Sequence, residues 1–402
     1  MGKLVPRVKI RSLMIAVALV AALFGAMVGY VRSRRTNRIS ILAARAVISP
    51  PDPDVKSLMF SDDGSFIAAA GPQAGIQLWH TSTTWPMTSI PEPRRAFSQM
   101  AFSSDGRWMV VTDAGSEVPS VRQSVLRCLE LNHGLLPLPD MGSTQQRLRV
   151  ADSRLYAGFA LAFSPDGRWI ASGGLNSIEI RERATLRASK SLRGNFAIPR
   201  LLAYARNGQL LAVGDNNGAV AMFDLDTGAQ RFVRNATTQP VSDPNAGQTG
   251  HSLGITSLAL CRSDTRLISL GGDNQLKVWD TATGALLTQI RVGALSGWAD
   301  SRSVLAVTAD EKRVVTASKS ADLAIWDLDT VAALRKSVLP PLPPNYYVTE
   351  LALSRNGASL AAVINDGGQN SRIVLWNTRD LFAASNQAVS PIVSPTSSAS
   401  AP

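Results

Sequence analysis

The chain has 402 residues, of which 45% are hydrophobic and 18% are charged. That balance allows a sizeable core and excludes both an intrinsically disordered polymer and a multi-pass membrane protein. The formal net charge is +11, but eight of the 41 basic residues and no acidic residue lie within residues 1–38. The remaining 33 basic and 30 acidic residues nearly balance. A nucleic-acid-binding protein needs a basic patch on its folded body, so this distribution argues against that class.

The first predicted element is a membrane-spanning helix. Ser12 to Val31 contains 20 residues without a charge, and at about 1.5 Å per residue such a helix spans roughly 30 Å, the thickness of a bilayer's hydrocarbon core. The stretch exceeds the apolar core of about 7–15 residues that is typical of a cleaved signal peptide. We therefore expect a single-pass, uncleaved anchor in the plasma (inner) membrane. Basic residues on both sides give no clear orientation, and the short basic start favours a body outside the cytoplasm.

A repeated phrase organises the rest of the chain. An apolar strand, a polar turn that often contains Asp-Gly or Asn-Gly, and a second apolar strand occur together seven times. These dipeptides tolerate the positive φ angles of tight hairpins, so the phrase predicts seven β-hairpins. The phrases begin at Phe60, Phe102, Phe163, Tyr204, Leu260, Val307 and Leu353.

A third apolar strand follows each hairpin, and in most repeats it ends with a large residue, a polar residue or both. Two repeats carry a literal Trp-Asp pair, whereas the third repeat departs from the pattern with Arg181. At these positions the sequence resembles the WD-repeat family. The resemblance implies an all-β, seven-bladed β-propeller of four-stranded blades over residues 55–382. The single predicted transmembrane helix precedes it. The residues at the WD-type positions are Trp79, Phe223, Asp224, Trp279, Asp280, Trp326, Asp327 and Trp376.

The fifth repeat keeps the hydrogen-bonded tetrad of that family. His251 follows a glycine, and Ser269 and Asp273 stand ten and six positions before Trp279. The resemblance implies that these side chains tie the loop entering the blade to its second and third strands and satisfy buried polar groups. The alternative is a catalytic Ser-His-Asp triad, but a triad is recognised by geometry, and each residue already has a structural role in the repeat. We predict a structural tetrad and no catalytic residue.

Long connections are the candidate binding elements. The resemblance places the loops between blades on the same face as the loops between second and third strands, and long loops on a rigid scaffold commonly carry binding function. Trp298, Tyr346 and Tyr347 lie in them as candidate partner-binding aromatics. The alternative is that these rings pack locally over the blade edges. The long segments are 91–98, 139–157, 235–250, 293–302 and 339–347.

No cofactor or metal site is expected. The three histidines lie in different repeats without metal-ligand spacing, and the glycine motifs that bind phosphates are absent. Two cysteines cannot form a disulfide framework.

The regions that flank the repeats have their own compositions. Residues 1–11 form a basic flank to the predicted helix at 12–31, and residues 32–54 form a juxtamembrane linker. The tail at 383–402 consists mainly of Ser, Ala and Pro, and we expect it to be disordered. Part of the linker, Ala43 to Ile48, is a candidate for completing the last blade and closing the ring.

The sequence favours a membrane-anchored scaffold that binds other proteins through its loop-rich face and catalyses no reaction. Alternatives are a quinoprotein-like or lactonase-type propeller enzyme and an envelope glycan-binding module. The Asp-x-x-Thr-Gly turns resemble those of quinoproteins, but the tryptophan that should follow in successive repeats is missing. The low ratio of lysine to arginine, 8 against 33, indicates a GC-rich genome, which favours a bacterial source. Proteins and the membrane are the expected partners, and nucleic acid is not.

Overall fold

The described part of the chain forms an all-β, seven-bladed propeller. Seven antiparallel four-stranded sheets surround an axis, and the first strand of each blade contacts the first strand of the next around a closed ring. The fold class predicted for the repeats is therefore confirmed. The structure is a computed structural model that describes residues 45–50, 55–71, 73, 75–84, 86–90, 97–113, 123–131, 151–156, 160–235, 250–261, 263–292, 304–317, 323–328, 333–336, 347–365 and 370–379.

Six blades take their four strands in chain order, and the seventh takes one strand from the start of the chain. Blade one comprises β2 (Ser57–Phe60), β3 (Phe66–Gly71), β4 (Gly75–His80) and β5 (Pro86–Ile90). Blade two comprises β6 (Phe97–Phe102), β7 (Trp108–Asp113), β8 (Gln123–Glu130) and β9 (Ala151–Tyr156). Blade three comprises β10 (Leu161–Phe163), β11 (Trp169–Gly173), β12 (Ser177–Glu182) and β13 (Ala188–Arg193). Blade four comprises β14 (Pro199–Tyr204), β15 (Leu210–Asp215), β16 (Val220–Asp224) and β17 (Gln230–Arg234). Blade five comprises β18 (Ile255–Cys261), β19 (Arg266–Gly271), β20 (Gln275–Asp280) and β21 (Leu286–Arg291). Blade six comprises β22 (Leu305–Val307), β23 (Arg313–Ala317), β24 (Leu323–Asp327) and β25 (Ala333–Lys336). Blade seven comprises β26 (Tyr347–Leu353), β27 (Ser359–Asn365), β28 (Ser371–Asn377) and β1 (Ala46–Ile48).

The turn between the first two strands of a blade is stabilised by its own side chains. In the second blade Ser103 Oγ donates to Asp105 Oδ1 at 2.5 Å and accepts the backbone N–H of Trp108 at 2.9 Å. Gly106 takes the positive φ of 66° that the turn requires. The same hydroxyl-to-Asp or hydroxyl-to-Asn contact occurs at Ser61, Ser164, Thr308 and Ser354.

Burial explains why some strands are apolar throughout and others alternate. The second strand of a blade packs between its two neighbouring blades, so nearly every residue of β19 is buried. The fourth strand lies at the rim, and in β21 half-buried and exposed residues alternate. The apolar clusters therefore lie between adjacent blades, as where Phe196 and Phe223 meet edge to face with ring centroids 5.8 Å apart.

Strand β1 closes the ring. It pairs antiparallel with β28, with Ala46 opposite Leu375 and Ile48 opposite Ile373. The hypothesis that part of 43–48 completes the last blade is confirmed for Ala46–Ile48, so the propeller includes residues N-terminal to Val55. An ion pair between Arg355 of the seventh blade and Asp62 of the first joins the same two blades.

Antiparallel pairing gives the ring two distinct faces. The turn face carries the first hairpin turn of every blade and the ends of the third strands. The loop face carries the connections from second to third strand and those from one blade to the next. The first hairpin turns lie at 61–65, 103–107, 164–168, 205–209, 263–265, 308–312 and 354–358.

One predicted loop is assigned differently by the structure. The segment 139–157 was expected to connect blades, but Ala151–Tyr156 is strand β9, paired with β8. The long stretch 132–150 therefore joins the third and fourth strands of the second blade, and both of its ends lie on the turn face. The strand escaped prediction because Ala-Asp-Ser-Arg-Leu-Tyr has the mixed composition of a rim strand rather than an apolar run.

The described residues contain no helix that is long and apolar enough to cross a membrane. The predicted anchor at 12–31 and the predicted tail at 383–402 lie outside the described residues.

Candidate functional site

The four tetrad side chains meet in one hydrogen-bonded relay in the fifth blade. Trp279 Nε1 donates to Ser269 Oγ at 2.8 Å. His251 Nε2 lies 2.7 Å from the same Ser269 oxygen, and His251 Nδ1 lies 2.9 Å from Asp273 Oδ1. The relay connects the segment that enters the blade with strands β19 and β20.

Backbone contacts reinforce the relay where the chain enters the blade. Asp273 also accepts the backbone N–H groups of Ser252 and Gln275, each at 3.0 Å. Lys277 Nζ donates to the carbonyl of Gly250 at 2.7 Å. A Cβ at Gly250 would lie 2.3 Å from the carbonyl oxygen of Arg234, so only glycine fits before the histidine.

The ring's partners and its burial together define the protonation state of the histidine. The Asp273 carboxylate can only accept, so Nδ1 carries the proton. Because burial keeps the ring neutral, Nε2 is unprotonated and accepts the Ser269 hydroxyl, whose oxygen accepts from Trp279 Nε1. Burial lowers the pKa of His251 below its ordinary value and outweighs the opposing effect of the Asp273 carboxylate. Burial alone would raise the pKa of Asp273, but hydrogen bonds from His251 and the backbone hold it below its usual range.

The neutral histidine predicts a pH dependence of stability. The unfolded chain takes up a proton near pH 6.5 whereas folded His251 does not, so stability is full above pH 6.5 and falls as the pH drops below it. The slope approaches about 1.4 kcal/mol per pH unit between the unfolded and folded pKa values. Urea unfolding at pH 7.5 and at pH 5.5 measures this loss in the free energy of unfolding. The control is His251→Gln, which should show a smaller loss over that range, and equal losses in both proteins would contradict the prediction.

Burial separates this relay from a hydrolase triad. Ser269 and His251 have no exposed surface, so no substrate reaches the hydroxyl. A triad needs the nucleophile beside an open site and an oxyanion-binding group. The arrangement supports the structural interpretation of the tetrad.

The residue equivalent to Trp279 is buried in every blade. In the third blade it is Arg181, whose Nη1 donates to the carbonyl of Leu186 at 2.7 Å and which forms an ion pair with Glu179. A cation therefore replaces an indole where a local carbonyl and a carboxylate bind its two Nη groups, and the strand order of the blade is unchanged. The equivalent residues are Trp79, Leu129, Arg181, Phe223, Trp279, Trp326 and Trp376.

The sixth and seventh blades differ at the indole's partner. Trp326 Nε1 donates to Thr316 Oγ1 at 2.9 Å. The equivalent position beside Trp376 is Ala362, and the buried Nε1 of Trp376 has no hydrogen-bond partner among the described residues.

Ala362→Ser should therefore stabilise the seventh blade, because the new hydroxyl gives the Trp376 Nε1 an acceptor. The expected gain in the free energy of unfolding is about 1 kcal/mol. Urea unfolding of the substituted and natural chains measures it. Trp376→Phe combined with Ala362→Ser is the control, since no donor is left to satisfy; a gain of the same size in both backgrounds would refute the hydrogen-bond explanation.

The WD-type aspartates cap their own turns. Asp280 Oδ1 accepts the backbone N–H of Thr283 at 2.9 Å and its hydroxyl at the same distance. Asp224 makes the same contacts with Thr227 at 3.0 Å, and these bonds together with Arg231 lower the pKa of Asp224 far below its usual range. Asp327 ends β24 and is half-buried. The Asp-x-x-Thr pattern is thus satisfied within the turn.

The candidate partner-binding aromatics fall in different places. Tyr347 is the first residue of β26 and is half-buried opposite Asn365. Trp298 and Tyr346 lie outside the described residues. The structure brings none of the three together within its described part.

A groove between the third and fourth blades opens on the turn face, with a volume of about 610 Å³. Its apolar wall includes Trp169, Tyr204 and Leu225, and its polar rim includes Asp166 and Lys190. Burial, together with the nearby Asp166 charge, raises the pKa of Tyr204. Sequence reasoning missed the groove because its residues come from turns and strands of two blades with no shared spacing.

The described residues hold no group of three or more His, Cys, Asp or Glu that could bind a metal ion. Cys128 and Cys261 are buried and form no disulfide. Burial raises the pKa of the Cys128 thiol to about 11, which keeps it protonated.

Comparison with known proteins agrees with the blade geometry. The WD40 family (WD domain, G-beta repeat) matches residues 159–179 and 243–280, which include the relay of the fifth blade. The chain is 32% identical over 133 residues to the WD repeat-containing protein SL1-17 of Schistosoma mansoni, an alignment that covers 32% of this chain and 38% of that protein.

Two further relatives have more specific descriptions. The Arabidopsis thaliana protein "Cell division cycle 20.1, cofactor of APC complex" is 24% identical over 226 residues, covering 54% of this chain and 43% of the relative. A guanine nucleotide-binding protein subunit beta of Zea mays is 25% identical over 176 residues, covering 42% and 44%. The chain thus spans less than half the length of each of these three relatives.

Proposed function

We propose that this protein is a membrane-anchored scaffold that binds other proteins through the loop face of its propeller and catalyses no reaction. The asymmetry of the ring carries this proposal. On the turn face the first hairpin turns are short, and five of the seven are held by a hydroxyl-to-Asp or hydroxyl-to-Asn contact of their own side chains. The connections 235–254, 292–304 and 337–346 all leave from the loop face, and 132–150 is the long exception on the turn face.

Rigid support makes long loops suitable for recognition. Loops presented by packed blades lose less conformational entropy on binding than loops of a mobile chain. The buried relay of the fifth blade fixes the chain directly after 235–250 by means of His251 and the Lys277 bond to Gly250. That loop therefore ends at a segment that buried hydrogen bonds hold in place.

The relatives support binding rather than chemistry. One is described as a cofactor of the APC complex and another as a subunit of a guanine nucleotide-binding protein. Both descriptions name a component of an assembly. The relay is inaccessible to substrate, so the chemistry that its residue types would allow is not available.

A photo-crosslinking amino acid at defined positions of the full chain tests the binding face. Substitution at Trp298 or Tyr346 should give discrete crosslinked products in cells. The matched control is Arg107 on the turn face, whose side chain is 59% exposed, and it should give none of those products. Products from Arg107 but not from the two loop positions would reject the loop face as the binding surface.

The anchor is the second part of the proposal. Residues 12–31 cross the plasma membrane once, and the propeller lies outside the cytoplasm. Fusions after Ser385 of a reporter active only in the cytoplasm and of one active only outside it test both points. Outside activity supports the proposal, cytoplasmic activity reverses the orientation, and recovery of the chain in the soluble fraction rejects the anchor.

A further inference from the structure

The closing strand enters the ring from a defined face. Strand β28 runs towards the turn face, where Asn377 lies opposite Ser359 at the end of the hairpin turn 354–358. Strand β1 is antiparallel to β28, with Ala46 opposite Leu375 and Ile48 nearer the loop face. The chain N-terminal to Ala46 therefore approaches the propeller from the turn face.

Contacts on both sides of β1 agree with that direction. Arg45 Nη2 donates to the carbonyl of Ser82 at 3.4 Å, in the turn that follows β4 on the turn face. Beyond β1, the backbone N–H of Val55 donates to Ser371 Oγ at 3.3 Å, where β28 begins on the loop face. The chain thus enters at the turn face and leaves at the loop face.

We infer that the propeller is held with its turn face towards the lipid headgroups and its loop face directed away from the membrane. This inference rests on the proposed anchor at 12–31. It deepens the proposed function, because it leaves the loop face free for a protein partner.

The length of the tether favours this orientation. Residues 32–44 are 13 residues. Any chain of that length reaches at most about 45 Å when fully extended, and a random coil of that length has a root-mean-square span of about 20 Å. A blade is about 24 Å tall, from the seven residues of β28 at about 3.4 Å each. The reverse orientation would require the tether to cover at least this height before it reached the membrane, which is more than the root-mean-square span of about 20 Å.

The chemistry of the turn face suits headgroup contact without insertion. Exposed arginines and exposed carboxylates both occur on it, as at Arg206 and Arg355 and at Asp105 and Asp166. The exposed large hydrophobic residues of the described chain lie elsewhere, with Leu175 on the loop face, Leu287 within a rim strand and Val47 in β1. Mixed charges at this face match polar headgroups better than a hydrocarbon layer.

Energy transfer to a headgroup-labelled acceptor lipid tests the inference on the full chain reconstituted in vesicles. The donor dye is attached to Arg107→Cys on the turn face or to Leu175→Cys on the loop face, two sites that are 59% and 57% exposed. Both natural cysteines are buried, so labelling is confined to the new thiol. We expect several-fold stronger transfer from Arg107→Cys. Equal transfer, or stronger transfer from Leu175→Cys, overturns the inference.

Flotation of the vesicles separates this inference from the anchor on which it rests. Protein that floats but shows the opposite ranking overturns the orientation alone, whereas protein that does not float overturns the anchor and the orientation together. A flexible Gly/Ser insertion after Ser40 is the control for the tether. The insertion should reduce the difference in energy transfer between the two labelled positions. An unchanged difference would mean that the length of the tether does not cause the orientation.

Discussion

Ile48→Asp is expected to lower the free energy of unfolding by about 4 kcal/mol or more, because it places an unpaired carboxylate in the apolar contact that closes the ring. Ile48 is 6% exposed and packs in one cluster with Leu58, Trp79 and Leu375. These residues belong to the first and seventh blades, so the substitution weakens the contact between the two ends of the chain. Urea unfolding of the full chain in detergent measures the loss.

The neighbouring residue provides the matched control. Val47 belongs to the same three-residue strand but is 38% exposed, so Val47→Asp adds the same charge on the outer side. Its expected effect is within about 0.5 kcal/mol. Amide exchange at Ile373 and Leu375 should accelerate only in Ile48→Asp. Similar losses for both substitutions would mean that β1 contributes through its backbone pairing alone.

The hairpins were predictable because their interactions are local. Ser103, Asp105 and Gly106 satisfy one turn within a few residues, and the same spacing returns along the chain. The tetrad was predictable for the same reason in its second and third strands, where Ser269, Asp273 and Trp279 lie within eleven residues of one another.

Features that depend on distant residues were less accessible from sequence. The pairing of Ala46–Ile48 with β28 joins residues more than 300 positions apart, so the sequence supported it only as a hypothesis. Strand β9 lacks an apolar pattern because a rim strand needs few buried side chains. The groove between the third and fourth blades has no sequence pattern, since packing alone brings Asp166 and Tyr204 together.

Ser269→Ala is expected to lower the free energy of unfolding by about 2–4 kcal/mol. It leaves two fully buried groups without partners, the Nε1 donor of Trp279 and the Nε2 acceptor of His251, and each such group costs about 1–3 kcal/mol. The side chain loses one atom, so cavity formation adds little. Urea unfolding gives the total, and amide exchange within Arg266–Gly271 shows whether the loss is located in the fifth blade.

Thr316→Val in the sixth blade is the graded comparison for this substitution. It keeps the shape of the side chain and leaves one buried donor, the Nε1 of Trp326, without its acceptor. The expected loss is about 1–2 kcal/mol, smaller than that of Ser269→Ala because one group is stranded rather than two. If Ser269→Ala cost no more than Thr316→Val, His251 would contribute nothing to stability through its hydrogen bond with Ser269.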